Sequence, residues 1–151
     1  MKPLFVLLAS FGIAFTIIKI MGGYWNFISA GNIAMTIMLL VTAIGHFKFP
    51  KGMTMMLPDV VPFKKEFVLF TGFVEIAGAI GLMLLSLRHL ISVLLIIFFI
   101  CILPANINAA IKKVDYEKGT YDGKGMNYLW FRVPLQVFFI IWVWYFGIYR
   151  S

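Results

Sequence analysis

The sequence predicts an all-α membrane protein with five spanning helices, and three observations support this prediction. Of the 151 residues, 62% are hydrophobic and only 13% are charged, whereas a soluble domain is about 45–50% apolar and about 25% charged. A single domain of this size cannot bury so much apolar surface within itself. A spanning helix needs about 20 apolar residues, and five stretches of the sequence reach or approach this length. A soluble enzyme and a disordered chain are therefore excluded. The chain has one cysteine, Cys101, so a disulfide scaffold is also excluded.

The predicted spans follow one another along a chain that forms a single domain. They cover residues 4–20, 27–46, 67–87, 90–111 and 130–149. The first span has an alternative interpretation, because Lys2 before an apolar run also resembles a secretory signal. No small-residue cleavage site follows it, so we expect a retained helix. The link at residues 22–26 is short, which predicts that the first two helices form an antiparallel pair.

The two longer connections differ in character. Residues 50–66 contain Pro50, Pro58 and Pro62, so they cannot form one straight helix. They are nevertheless rich in methionine and other apolar residues, which predicts an interfacial or re-entrant segment that covers the bundle. Residues 112–129 are polar and contain glycine turn signals, which predicts a water-exposed loop, with a short hairpin as one form it can take.

The basic residues predict an orientation. Ten of the 13 Lys and Arg residues fall on the side that holds residue 2 and the two long connections, and three fall on the other side. Because Lys and Arg are enriched in cytoplasmic loops, we expect the N-terminus in the cytoplasm and the C-terminus outside. The net charge of +7 is explained in the same way. No basic helix with interleaved aromatic residues lies outside the spans, so nucleic acid is not an expected partner.

The polar residues inside the spans are unevenly distributed. Polar groups in hydrocarbon are costly and usually face the bundle interior. Five of them lie in the cytoplasmic half of four different spans: His46, Glu75, Asn106, Arg132 and Gln136. We therefore predict that these five side chains line one ligand-binding cavity, covered by residues 53–62. Glu75 and Arg132 are expected to pair, directly or through one polar residue, since an unpaired charge at that depth is expensive.

Each of these residues also has a simpler interpretation. Glu75 and Arg132 can form an ion pair that only sets helix register, and His46 can be a wet interfacial histidine. Asn106 can satisfy the backbone beside Pro104, whose missing N–H breaks the fourth span, and Gln136 can bridge helices. No metal site is predicted, and His46 and His89 lie on opposite sides, which excludes a bis-histidine haem within one chain.

Three strings in the sequence resemble a known family. They are Gly45-His46-Phe47, Leu103-Pro104-Ala105-Asn106 and Arg132-Val133-Pro134-Leu135-Gln136. Over residues 32–146 the chain resembles the DoxX-like family of small bacterial membrane proteins. The resemblance implies a four-helix transmembrane bundle in the bacterial inner membrane, to which the first helix is an N-terminal addition. The name-giving relatives resemble subunits of a thiosulfate:quinone oxidoreductase, so the resemblance also implies quinone and a redox partner protein.

The leading functional hypothesis is a quinone- or lipid-interacting subunit of a membrane redox system, more an accessory subunit than a stand-alone enzyme. Glu75 and His46 are its candidate proton carriers, and no covalently bound cofactor is expected. A second hypothesis is a small enzyme that acts on a lipid, with an isomerase-like proton shuttle. A third is a structural or assembly subunit without catalysis. A homo-oligomer is left open.

Overall fold

The computed structural model describes residues 2–23 and 25–150. In this part of the chain, five helical segments are long and apolar enough to cross a membrane. They confirm the predicted fold class, and the chain is a multi-pass α-helical membrane protein. The segments are Lys2–Gly22, Phe27–Lys48, Lys64–Met83, Arg88–Ile111 and Leu129–Tyr149.

The described helices include two short ones that the spans do not reveal. In chain order they are α1 (Lys2–Gly22), α2 (Phe27–Lys48), α3 (Pro50–Met56), α4 (Lys64–Met83), α5 (Arg88–Cys101), α6 (Leu103–Ile111) and α7 (Met126–Trp144). One π-helical turn, Tyr145–Tyr149, continues α7. The helix α3 lies in a connection, whereas α5 and α6 together form the fourth span.

Helix α1 lies on the outside of the bundle. Its buried residues are only Leu7, Ser10 and Ala14. It packs against α2 and reaches α7, where the rings of Phe11 and Trp142 meet edge to face with centroids 5.2 Å apart. A helix buried along one narrow stripe fits the expectation that α1 is added to the side of a bundle made by the other four spans.

The fourth span breaks where proline predicts it. Pro104 has no N–H to donate to the carbonyl of Ile100, so the ladder of an α-helix cannot continue through this turn. Helix α5 ends at Cys101, and α6 begins at Leu103. The predicted span 90–111 is thus two helices in series.

Several predicted boundaries are wrong by a few residues. The third span was predicted to end at residue 87, but α4 ends at Met83 and residues 84–87 form the turn to α5. Residues 64–66 belong to α4 rather than to the interfacial segment, and residues 126–129 belong to α7 rather than to the loop. Hydropathy marks the lipid boundary, whereas a helix continues into water as long as its backbone hydrogen bonds form.

The segment 50–63 packs onto the end of the bundle. Its first part is α3, with Pro50 in the first turn, where a missing N–H costs nothing. Gly52 is buried so tightly that a Cβ there would lie 1.9 Å from the backbone oxygen of Tyr116. The side-chain amide of Asn108 donates to the carbonyl of Met56 over 2.8 Å. The segment is therefore held by both α6 and the following loop.

Charged pairs hold the same end of the molecule. Asp59 accepts hydrogen bonds from Lys112 at 2.8 Å and Lys64 at 3.0 Å. These bonds lower the pKa of the Asp59 carboxyl to about 2. A depressed carboxyl pKa favours the folded state above the ordinary value near 4, and this contribution is lost as the pH falls towards 2. Both ion pairs, at 3.0 Å and 2.8 Å, lie at the surface of the molecule. Exposed ion pairs add little stability.

The loop 112–125 ties the start of α1 to this end. It turns back on itself through a bridge between Asp115 and Thr120, with Gly119 at a φ of +68°. The Lys2 ammonium lies 2.6 Å from the carboxylate of Glu117 in this loop. Residue 2, the segment 50–63 and the loop therefore share one end of the molecule, which we call the lysine-rich side. The links between α1 and α2 and between α4 and α5 form the opposite side.

Candidate functional site

A histidine and a glutamate meet between α2 and α4, inside the spans. Gly72 permits this approach, because a Cβ there would lie 2.8 Å from the Cβ of His46. His46 Nε2 lies 3.6 Å from Glu75 Oε1, and the Glu75 side chain is only 7% exposed. The second carboxyl oxygen of Glu75 is buried and has no hydrogen-bond partner among the described residues. A buried carboxyl oxygen without a partner is expensive, which marks Glu75 as the unusual group of this site.

The backbone defines which nitrogen of His46 carries a hydrogen. Its Nδ1 lies 2.9 Å from the carbonyl oxygen of Val68, which can only accept, so Nδ1 is the donor. The Thr71 hydroxyl donates to the same carbonyl over 2.8 Å. Its oxygen lies 3.1 Å from Nδ1 and can share that hydrogen. The imidazole ring is thereby fixed with Nε2 towards Glu75.

With Nδ1 as the donor, the other ring nitrogen, Nε2, faces the carboxyl group of Glu75 at 3.6 Å. Imidazole and carboxyl groups are the side chains that most often accept and release protons in proteins. The arrangement therefore places two proton-carrying groups side by side within the spans.

A second polar group braces the broken fourth span. The Asn106 amide donates to Gln136 Oε1 over 2.9 Å. The Gln136 amide in turn donates to the carbonyl of Phe99, in the last turn of α5 before the break. Both side chains are buried. Gln136 thus bridges helices, as its simpler interpretation holds, and Gln136 rather than Asn106 binds a backbone carbonyl near Pro104.

Arg132 lies beside the second group. Together with Asn106 and Lys124, it lines a cavity of about 20 Å³ at the lysine-rich side. A space of this size holds one water molecule. Glu75 has an ion pair with His46. That Glu75 and Arg132 also pair, directly or through one polar residue, stays a prediction.

The five predicted site residues form two groups. Gly78 of α4 lies against Leu95 of the antiparallel α5. Glu75, one turn nearer the lysine-rich side, is therefore level with Phe99, whose carbonyl binds Gln136. His46 and Glu75 form one group, and Asn106, Gln136 and Arg132 form the other. Neither His46 nor Glu75 lines the cavity of about 20 Å³ beside Arg132.

Sequence reasoning missed two polar residues. Thr71, four residues before Glu75, shares a face with it, and this spacing was a usable signal. Asn32, in the half nearer the opposite side, donates to the carbonyl of Phe146 over 3.0 Å, where α7 widens into the π-turn. The indole of Trp142 donates to the neighbouring Gly31 carbonyl over 3.0 Å. These contacts join α2 to α7 and explain why an asparagine occurs in an otherwise apolar stretch.

Metal chemistry has no support in the described part of the chain. Within residues 2–23 and 25–150, no group of three or more His, Cys, Asp or Glu side chains is placed to hold a metal ion.

These features define a small helical membrane protein with a buried His–Glu pair between two of its spans. Residues 35–147 match the family described as a domain of unknown function, DUF8561, and the chain belongs to that family. The match begins within α2 and omits α1. Comparison with curated proteins and with solved structures gives no match.

Proposed function

We propose that the protein is a quinone- or lipid-binding accessory subunit of a membrane redox system, and that His46 and Glu75 carry protons for the bound head group. One observation carries this proposal: a buried carboxyl oxygen of Glu75 that has no partner among the described residues, on a side chain 3.6 Å from Nε2 of His46. A hydroxyl head group on an apolar tail would donate a hydrogen bond to this oxygen, and a carbonyl head group would accept one from the protonated carboxyl group.

The chemistry of quinones suits such a pair. Reduction of a quinone to a quinol takes up two electrons and two protons. His46 and Glu75 are protonatable groups within the spans and would supply the protons. With one cysteine and two histidines, the chain has few side chains that could hold a redox centre, so a partner protein would supply the electrons. The resemblance of the motifs around His46, Asn106 and Arg132 to the DoxX-like family supports the quinone part of the proposal.

Access to Glu75 requires movement of its surroundings. The segment 50–63 is the candidate cover, since the Met53 methyl would lie 3.2 Å from a Cβ on Gly45, directly before His46. Methionine side chains are flexible and adapt to apolar ligands. We propose that a head group reaches the pair when this segment moves.

The proposed setting is the bacterial inner membrane, with the lysine-rich side in the cytoplasm. Lysine-rich ends remain cytoplasmic during insertion. Reporter fusions before Lys2 and after Arg150 should report a cytoplasmic and an external location, respectively. Because an odd number of spans separates the two positions, reporters on the same side would contradict the topology, and a reversed pair would contradict the orientation.

The proposed ligand can be identified by extraction. Wild-type protein, purified in mild detergent from a quinone-containing membrane, is extracted with organic solvent, and the extract is analysed by mass spectrometry. We expect quinone near one equivalent in wild type and a loss of about tenfold in Glu75→Gln, which corresponds to about 1.4 kcal/mol of lost binding. The matched control is Glu66→Gln, an exposed carboxylate on the same helix, which should retain wild-type quinone.

Other results would redirect the proposal. A phospholipid or other lipid lost in Glu75→Gln would keep the site and replace the ligand. Turnover of such a lipid by the isolated chain would favour the isomerase-like enzyme. Equal extracts from wild type, Glu75→Gln and Glu66→Gln would contradict a ligand at Glu75 and leave a structural subunit.

A further inference from the structure

An apolar groove runs between α1 and α7 on the surface that faces lipid. Its volume is about 380 Å³, and its lining is almost entirely apolar. The lining includes Leu8, Phe11, Phe27, Phe138, Trp142 and Phe146. The groove is separate from the His46–Glu75 pair, which lies between α2 and α4.

Two cations stand at one end of this groove. On α1, the groove residues Leu8 and Phe11 are followed at helical spacing by Phe15 and Lys19, so Lys19 lies on the same face. On the other wall, Tyr145 packs on Tyr149 with ring centroids 6.0 Å apart. These positions lead from the groove to the opposite side of the molecule.

Aromatic rings hold both cations near that end. The Lys19 ammonium lies 5.3 Å from the ring centroid of Trp25, which stacks on Phe15. The Arg150 guanidinium lies 5.5 Å from the ring centroid of Tyr149. Such cation–π contacts orient the charges without neutralising them.

The charge balance of this end is incomplete. All six acidic side chains of the chain belong to the lysine-rich side or, in the case of Glu75, to the interior of α4. The opposite side carries Lys19, Arg88 and Arg150 against no acidic side chain. Two of these three cations lie beyond one end of the groove, so an anionic group is the complementary ligand there.

The distance from the groove residue Leu8 to Lys19 matches the thickness of one leaflet. From Leu8 to Lys19 the helix rises about 16 Å, and half of the hydrocarbon core is about 15 Å. A lipid with its head group at Lys19 and Arg150 would therefore lay one acyl chain along the groove down to the midplane.

We propose that this groove binds an anionic phospholipid of the leaflet at the opposite side, with the phosphate between Lys19 and Arg150 and an acyl chain against Phe11 and Trp142. The lipid links α1 to α7 and supplies the negative charge that the side chains of this end lack. Membrane attraction contributes about 1 kcal/mol for each basic residue near an anionic surface, so each charge accounts for about a fivefold preference.

The test uses the full chain in detergent and native mass spectrometry with added phosphatidylglycerol or phosphatidylcholine. With two such charges, wild type should retain one phosphatidylglycerol about 25-fold more than phosphatidylcholine. The Lys19→Gln, Arg150→Gln double variant should lose this preference. Arg88→Gln, which removes the third cation of the same end, should keep it. Equal retention of the two lipids by wild type would overturn the proposal, as would an undiminished preference in the double variant.

A second pair of variants tests the groove itself. Leu8→Trp fills the groove and should lower retention of phosphatidylglycerol at least fivefold. Ile97→Trp is the matched control, because Ile97 is 51% exposed on α5 and Leu8 is 48% exposed on α1. It should leave retention unchanged. A loss of equal size in both variants would show nonspecific lipid contact and overturn the groove as the site.

Discussion

Removing one partner of the His46–Glu75 pair should destabilise the protein more than any exposed charge substitution. We expect Glu75→Leu to lower the free energy of unfolding by about 2–3 kcal/mol, because it leaves His46 facing an apolar group inside the spans. His46→Leu should cost a similar amount. Thermal or denaturant unfolding in detergent measures both effects, and Glu66→Gln on the exposed first turn of α4 should stay within about 0.5 kcal/mol of wild type.

A double-mutant cycle separates this pair from its alternatives. The His46→Leu, Glu75→Leu variant should lose less than the sum of the single variants, with a coupling of about 1–2 kcal/mol. A cycle between Glu75 and Arg132 should couple more weakly, because Glu75 contacts His46 in the structure. Strict additivity at His46 and Glu75, or stronger coupling to Arg132, would contradict the pairing.

Gly52→Ala is the second substitution with a large expected effect. The new Cβ would lie 1.9 Å from the Tyr116 carbonyl oxygen, so the segment 50–63 or the loop must move. We expect a loss of about 2–3 kcal/mol and faster proteolysis of the segment, since neither backbone can yield cheaply. Unfolding and limited proteolysis in detergent measure the two effects.

Gly12→Ala is the matched control for this prediction. A Cβ at Gly12 has no atom within 4 Å, and alanine is better than glycine in a helix by about 1 kcal/mol. Gly12→Ala should therefore be neutral or stabilising. Equal stability of Gly52→Ala and Gly12→Ala would contradict the packing of the segment against the loop.

The spans were predictable because the lipid bilayer requires a continuous apolar run of residues, which is a local property of the sequence. Hydropathy over about 20 residues identifies a spanning helix without knowledge of its neighbours, and the missing N–H of Pro104 is equally local. The two ends of α4, Lys64 and Met83, were less predictable, because they depend on the turns that flank the helix rather than on hydropathy.

The polar residues inside the spans were predictable from the sequence, but their contacts were not. Hydropathy places His46, Glu75, Asn106 and Gln136 within predicted spans. Which of them touch depends on how the helices are rotated, and here Gly72 brings α4 onto His46. Thr71 and Glu75 lie on the same face of the helix as Gly72, so the sequence contained part of this information. The hydrogen bond from Gln136 to Phe99 could be identified only from the fold.

Infrared difference spectroscopy on the purified protein with oxidised and reduced quinone tests the central claim most directly. If Glu75 shares its proton with His46 and with a bound head group, the two spectra should differ in the carbonyl band of a protonated carboxylic acid. That difference should vanish in Glu75→Gln and persist in Glu66→Gln. A carboxyl band that is identical in wild type and Glu75→Gln would contradict a proton-carrying role for the pair.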